Sequence, residues 1–186
     1  MDETATDAAL LEAWGNGSTR AGNELLERHF ALVHRFFRNK VGAELEDLVQ
    51  QTFLACLEAR ARYRGHASFK TFLLAIARNQ LFTHYSQRGR RALDTEMRSV
   101  RDLRSSPTAA MAKREDLRLL QAALQEIPLD FQIILELVFW EELDTVEIAA
   151  VLDVPVNTLY SRLHRAKLAL RSKLQRDRPP SLDTST

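Results

Sequence analysis

Apolar positions along this chain recur at intervals of three and four, the period of helices that bury one face. Leu10, Leu11 and Trp14 give a short amphipathic segment from Asp7 to Trp14, stopped by Gly15-Asn16-Gly17-Ser18. Leu25, Leu26, Phe30, Val33, Phe36 and Phe37 mark a longer helix from Asn23 to Lys40, closed by Gly42. Leu45, Leu48, Val49, Thr52, Phe53 and Cys56 mark a third, from Leu45 to Arg60. After a loop at Tyr63-Arg64-Gly65-His66, Ser68 is placed to cap a fourth helix. That helix runs to about Arg88 on a face of Phe69, Phe72, Leu73, Ile76 and Leu81. From Gly89 to about Met111 the stripe is lost, Arg and Ser are frequent and Pro107 intervenes, which reads as linker. Part of it, Asp94 to Leu103, is open to a loose helix. Periodicity returns from Lys113 to Glu126 with Leu117, Leu120 and Leu124, and Ile127-Pro128 breaks it. Leu129 to Trp140 is apolar enough to form the centre of a second core.

The most informative local pattern follows. Asp144-Thr145-Val146-Glu147 has the form of a capping box, with the acid three residues after the cap reaching back. A short helix carrying Val146, Ile148, Ala149 and Leu152 is expected there, then a tight break at Asp153-Val154-Pro155. A second helix, Val156 to about Leu174, would bury Leu159, Leu163, Ala166 and Leu170. Its other side holds Asn157, Thr158, Ser161, Arg162, Arg165 and Lys167. A short helix, a three-residue turn and a one-sidedly basic second helix suit a reader of the DNA major groove. Arg pairs bidentately with guanine and Asn with adenine, while further basic residues neutralise phosphates. A generic helical hairpin is the plain alternative.

Composition agrees with helix: Gly and Pro number only 6 and 5, in a chain that is 45% apolar and 27% charged. The net charge of +1 hides a segregation. From Arg60 to Leu93 there are eight basic residues and no acid; from Val156 to Arg178 there are seven against Asp177 alone. Between them, Glu115 to Asp153 holds many acids and only Arg118. Two basic zones separated by an acidic one point to two contacts with a polyanion, against a plain reading as solvated helix faces. No apolar run approaches the roughly 18 residues of a membrane span, and Met1 to Asp7 does not resemble a signal peptide. A single cysteine, Cys56, leaves no intrachain disulfide, so a reducing cytoplasm is the expected location.

Three stretches, in order, resemble the sigma-70 family of transcription-initiation factors. Glu46-Asp47-Leu48-Val49-Gln50-Gln51-Thr52-Phe53 looks like its polymerase-binding helix. Tyr63-Arg64-Gly65-His66-Ala67-Ser68-Phe69-Lys70-Thr71-Phe72-Leu73, continuing to Ile76-Ala77-Arg78-Asn79, looks like its promoter −10 region. Thr158-Leu159-Tyr160-Ser161-Arg162-Leu163-His164-Arg165-Ala166-Lys167 looks like its −35 recognition helix. The subgroup resembled is the extracytoplasmic-function (ECF) sigma factors, and the likeness spans roughly Asp7 to Leu174.

The resemblance implies an all-α protein of two small helical domains joined by a flexible linker. Domain 2 would occupy residues 7–92, the linker 93–112, domain 4 residues 113–176, and a disordered tail 177–186. Glu46, Asp47, Leu48, Val49, Gln50, Gln51 and Phe53 would dock on the clamp helices of the largest subunit of core RNA polymerase. The acids, with Glu44 and Glu58, suit a basic partner, whereas Leu48, Val49 and Phe53 read either as apolar anchors or as local core. At the −10 element the residues implied are Arg62, Tyr63, Arg64, His66, Ser68, Lys70, Phe72, Arg78, Asn79, Arg88, Arg90 and Arg91. Tyr63 and Asn79 would take a base flipped from the non-template strand, by stacking and by hydrogen bonding to its edge. Phe69 reads as core or as a DNA contact. Many relatives carry Trp where this chain has Phe72, and often a polar or basic residue near Ala75; His84 and Tyr85 also vary the family pattern. Asn157, Thr158, Tyr160, Ser161, Arg162, Arg165, Lys167 and Arg171 would read the −35 element. Promoter DNA, the polymerase clamp helices and β flap, and an anti-sigma factor are the implied partners.

The remaining chemistry is bland. His29 and His34 are five apart, His66, His84 and His164 lie in separate segments, and no metal motif, phosphate loop or nucleophile elbow is present. The expectation is no cofactor, no metal and no catalytic site. Cys56 on an apolar stripe reads as an inert buried thiol, and Trp14 and Trp140 as core, with Phe139-Trp140 open to being a partner surface. Two other functions stay in view: a helix-turn-helix regulator that binds duplex DNA alone, and a protein-binding helical adaptor without DNA affinity.

Overall fold

A computed structural model describes residues 6–63, 65, 67–92 and 111–177. Among them every regular element is a helix. The chain separates into two compact units: one within residues 1–97, the other from 98–148 and 154–186, with the short stretch 149–153 grouped with the first. Expectations for the linker from 93 to 110 and for the tail beyond 177 lie outside the described residues.

In the first unit, helix α1 (Asp7–Gly15) packs on α2 (Thr19–Arg38), and α2, α3 (Leu45–Ala59) and α4 (Phe69–Ala92) pack on one another. A short 3-10 turn, Arg60–Arg62, precedes the loop into α4. Helix α2 begins four residues before the expected Asn23, because Ser18 accepts a hydrogen bond from the Ala21 amide and caps it. The early start places Gly22 against Trp14, where any Cβ would fall within 2.6 Å of the indole carbons. Leu25, Val33, Phe37, Cys56, Leu73, Leu74, Ala77 and Leu81 are wholly enclosed in this unit. Phe69, read from sequence as core or contact, is 3% exposed and belongs to the core.

Phe30 departs from expectation. It sits off the stripe set by Leu25, Leu32 and Phe36 and is 47% exposed, stacked on Phe53 of α3 with the rings nearly parallel (6.1 Å, 6°). Helix α4 also outlasts its expected end near Arg88 and runs through Gly89 to Ala92. One helical glycine costs only about 1 kcal/mol, too little to stop a helix anchored upstream.

In the second unit, α5 (Met111–Gln125), α6 (Leu129–Phe139) and α8 (Val156–Asp177) pack together around Leu124, Ile127, Leu135 and Ala166. Helix α5 starts at Met111, two residues inside the expected linker. Lys173 of α8 pairs with Glu126 at 2.9 Å. Leu117, expected on the buried stripe, is exposed, as are Val146 and, contrary to its reading as core, Trp140. Trp14, by contrast, is buried as expected.

Candidate nucleic-acid and partner interfaces

Helix α3 presents two faces. Leu48 and Val49 are each 2% exposed, so of their two readings local core is the one the structure gives. Thr52 is also enclosed, its hydroxyl donating to the Leu48 carbonyl at 2.7 Å. The opposite side carries Glu46, Asp47, Gln50 and Gln51, all exposed, with Phe53 half-buried at its edge. Sequence reasoning missed three neighbours of that face. Leu54 and Leu57 are about half exposed, and Phe30 joins them through Phe53. His34 stacks beside Phe30 (6.2 Å) and lies 3.6 Å from Glu46. The result is an acidic and apolar patch across α2 and α3. The readable signal was Leu54 and Leu57 falling between Gln50 and Glu58, on the polar side of the helix.

The segment from Arg62 to Asn79 forms a different surface. Tyr63 donates its hydroxyl to the Ala67 carbonyl and closes the loop across 63–67. Ser68 caps α4 as expected, accepting from the Thr71 amide at 3.2 Å. The Tyr63 ring tilts against Phe72 (4.8 Å) and meets Phe69 edge-on (6.4 Å, 83°). A base between Tyr63 and Phe72 would need about 7 Å, twice the usual contact distance of roughly 3.5 Å. No base-sized gap therefore lies between the Tyr63 and Phe72 rings. Burial, and after it the Asp7 carboxylate, push the Tyr63 phenol above its ordinary range, so it stays protonated. Asn79 is exposed two turns beyond Phe72 on the same side of α4.

The basic residues of this region divide. Arg62 is exposed and Lys70 half-buried. Arg78 lies over the Phe82 ring at 4.7 Å, a cation–π contact. Arg88, expected at the −10 element, holds Glu44 at 3.1 Å and so ties α4 to the start of α3. Tyr85 makes a second tie, donating to the Lys40 carbonyl. Arg64 and His66, and the side chains of Arg90 and Arg91, lie outside the described residues.

The third surface is on α8. Asp144 accepts from the Val146 and Glu147 amides at 2.8 Å each, and Glu147 accepts from the Asp144 amide at 3.2 Å. The capping box is therefore formed, and it starts α7 (Thr145–Leu152). Asp153 turns the chain with a left-handed φ of 53°, and Pro155 opens α8. Leu159 and Ala166 are fully enclosed, while Asn157, Tyr160, Ser161, Arg165, Lys167 and Arg171 are exposed on the other side. Thr158 and Arg162 are half-buried at its margin. Ser161 and Arg165 donate to carbonyls of their own helix, and the Lys167 ammonium lies 5.8 Å from the Phe139 ring.

Residues 25–91 match Sigma-70 region 2, and residues 117–170 match Sigma-70, region 4. The chain belongs to the sigma-70 family. It is 30% identical over 184 residues to the RNA polymerase sigma-H factor of Pseudomonas aeruginosa, covering 91% of this chain and 94% of that protein. To the ECF RNA polymerase sigma-E factor of Escherichia coli K12 it is 28% identical over 189 residues, covering 94% and 97%. Two solved structures share the fold at 22% identity. The sigma factor RpoE in complex with the anti-sigma factor NepR from Bartonella quintana gives a TM-score of 0.72 over 86% of this chain and 100% of that one. CnrH in complex with the cytosolic domain of CnrY gives 0.69 over 92% and 99%. This sigma factor, of the ECF group, binds core RNA polymerase and directs initiation at promoters through −10 and −35 elements.

Two structural facts bound the chemistry. Among the described residues no helix is long and apolar enough to cross a membrane, and no three His, Cys, Asp or Glu side chains converge as for a metal. Burial pushes the Cys56 thiol up to about 11, which suits the inert thiol read from sequence.

Proposed function

We propose that the three surfaces divide initiation among themselves. Glu46, Asp47, Gln50 and Gln51, with Phe30, Phe53, Leu54 and Leu57, dock on the clamp helices of the polymerase largest subunit. Tyr63, Phe72 and Asn79 capture a flipped base of the −10 element, with Arg62, Lys70 and Arg78 near the strand and Arg64, His66, Arg88, Arg90 and Arg91 completing the basic zone. Asn157, Thr158, Tyr160, Ser161, Arg162, Arg165, Lys167 and Arg171 read the −35 duplex. Exposed Phe139 and Trp140 meet the β flap. Catalysis belongs to the polymerase, and the protein works in the cytoplasm. An anti-sigma factor holds it inactive, covering the apolar residues at Phe30 and Phe139. The two similar structures, one of them a complex with an anti-sigma factor, support that control.

One observation carries the reading. A single helical unit bears an acidic, apolar face on α2 and α3 and a basic, aromatic one at the head of α4. A regulator that binds duplex DNA alone needs only the α8 face. Reconstitution separates the two. With core polymerase and a library of random promoters, the chain should yield defined run-off transcripts, and Asp47→Arg should reduce core affinity without altering helix content. No specific transcript together with no core binding would sink the proposal; sequence-specific duplex binding by the chain alone, with no effect of core enzyme, would favour the regulator.

A further inference from the structure

The base-capture residues rest on a support that comes from outside their own segment. Helix α1 precedes the stretch matched to region 2, yet it contacts the neighbours of the −10 surface at two points. Its first residue, Asp7, holds His29 of α2, with Oδ2 2.6 Å from Nε2, and accepts from Arg28 at 3.1 Å. A carboxylate in the first turn also sits well in the helix field. The His29 ring is 9% exposed and meets Phe69 edge-on (5.2 Å, 67°). Phe69 in turn contacts both Tyr63 and Phe72 (6.4 and 6.2 Å). At the other end of α1, the Trp14 ring lies 5.0 Å under the guanidinium of Arg60, three residues before Tyr63. The Asp7 charge is felt at the Tyr63 phenol itself.

We infer that Asp7 and His29 are positioning residues for base capture: their pair, 22 residues apart in sequence, fixes Phe69, and Phe69 fixes the angle at which Tyr63 and Phe72 present themselves to the −10 strand. The inference rests on the proposed role of Tyr63. Stacking on an aromatic ring holds a base in single-strand binding, and it is realised in full only if the ring is held in place before the strand arrives. Phe69 is enclosed and touches no base; its position depends on what stands behind it. His29 is that neighbour, and its hydrogen bond with Asp7 sets the orientation of its ring.

The test uses holoenzyme made from the full chain and core polymerase. A pool of single-stranded DNA randomised over a ten-base window is enriched on the wild-type holoenzyme, and the winning sequence, fluorescently labelled, becomes the probe. Asp7→Asn and His29→Phe should each weaken probe binding about tenfold and flatten the preference for the captured base, with core affinity unchanged. Asp7→Glu should recover most of the loss. Tyr63→Ala should be at least as damaging as either. If Asp7→Asn and His29→Phe keep full probe affinity and base preference while Tyr63→Ala loses them, the bracing role is wrong and the −10 reading stands. If Tyr63→Ala is also silent, the −10 reading falls and takes the inference with it. Parallel loss of probe affinity, core affinity and thermal stability would mark the pair as fold support only and overturn the inference.

Discussion

On α8, Asn157, Tyr160, Ser161, Arg165 and Arg171 stand exposed along one side of a helix whose opposite side is locked into the second unit by Leu159 and Ala166. The surface from Tyr63 to Arg88, proposed for the −10 element, is built from similar residue types in a different condition. Tyr63 is bonded to its own loop, Phe72 backs Tyr63, Arg78 covers Phe82 and Arg88 is paired with Glu44. On the proposed roles, the contrast matches the two ligands. A duplex groove accepts a rigid helix, and on α8 only the local bonds of Ser161 and Arg165 to their own helix would have to be exchanged. A melted strand brings a base with no partner, and capturing it demands a shaped wall held from behind.

Breaking the separation between the units gives the largest expected effect. Leu73 is wholly enclosed in the first unit, and Leu73→Ala should cost about 2–5 kcal/mol. Trp14 and Trp140 report on different units, so each can be followed by fluorescence with the other changed to Phe. In urea the Trp14 transition should fall and the Trp140 transition stay; equal shifts would show that the units unfold as one. Next comes the duplex reader. Arg162→Ala should weaken −35 binding by about 1–3 kcal/mol and relax preference at one base pair; unchanged preference in a binding-site selection removes Arg162 from base contact. Asp144→Ala takes the cap from α7 and should lower second-unit stability by about 1 kcal/mol, read from the Trp140 transition, with −10 probe binding untouched. The smallest effect is Glu44→Gln. The Glu44–Arg88 pair is largely in solvent, so stability should change by less than about 1 kcal/mol. Arg88 would then be released toward the strand, and the salt dependence of single-strand binding should steepen by about 0.7 in logarithmic slope; an identical slope would leave Arg88 as a tie between helices and nothing more.

Much of this was legible from residue order. The capping box at Asp144, the cap at Ser68 and the one-sided charge of α8 are local patterns, and local patterns survive folding. What was not legible depends on distance. Phe30 looked like core because it is apolar, but its angular position on α2 leaves it beside Phe53, a residue of another helix. Leu48 and Val49 stayed ambiguous until the packing of α3 on α2 and α4 showed which side was covered. Trp140 and Leu117 are apolar residues at a periodic position on faces left uncovered in the chain alone. The contacts of Asp7 with His29 and of Arg88 with Glu44 join residues 22 and 44 positions apart, and no periodicity predicts them.

The unbroken run of α4 from Lys70 to Arg88 has a metric consequence. An α-helix rises 1.5 Å per residue, so the 18 steps from Lys70 to Arg88 span about 27 Å. For scale, one strand of duplex DNA advances 3.4 Å per nucleotide, so the span equals about eight nucleotides of duplex, whereas a melted strand has no fixed rise. On the proposed roles, the helix would serve as a ruler, marked in turns of 5.4 Å, between the base-capture residues near its start and the basic residues at its far end. A residue inserted between Asn79 and Arg88 would lengthen it by less than half a nucleotide but rotate its far end by about 100°. Promoter spacing should therefore be far less tolerant of changes in α4 phase than of changes in its length.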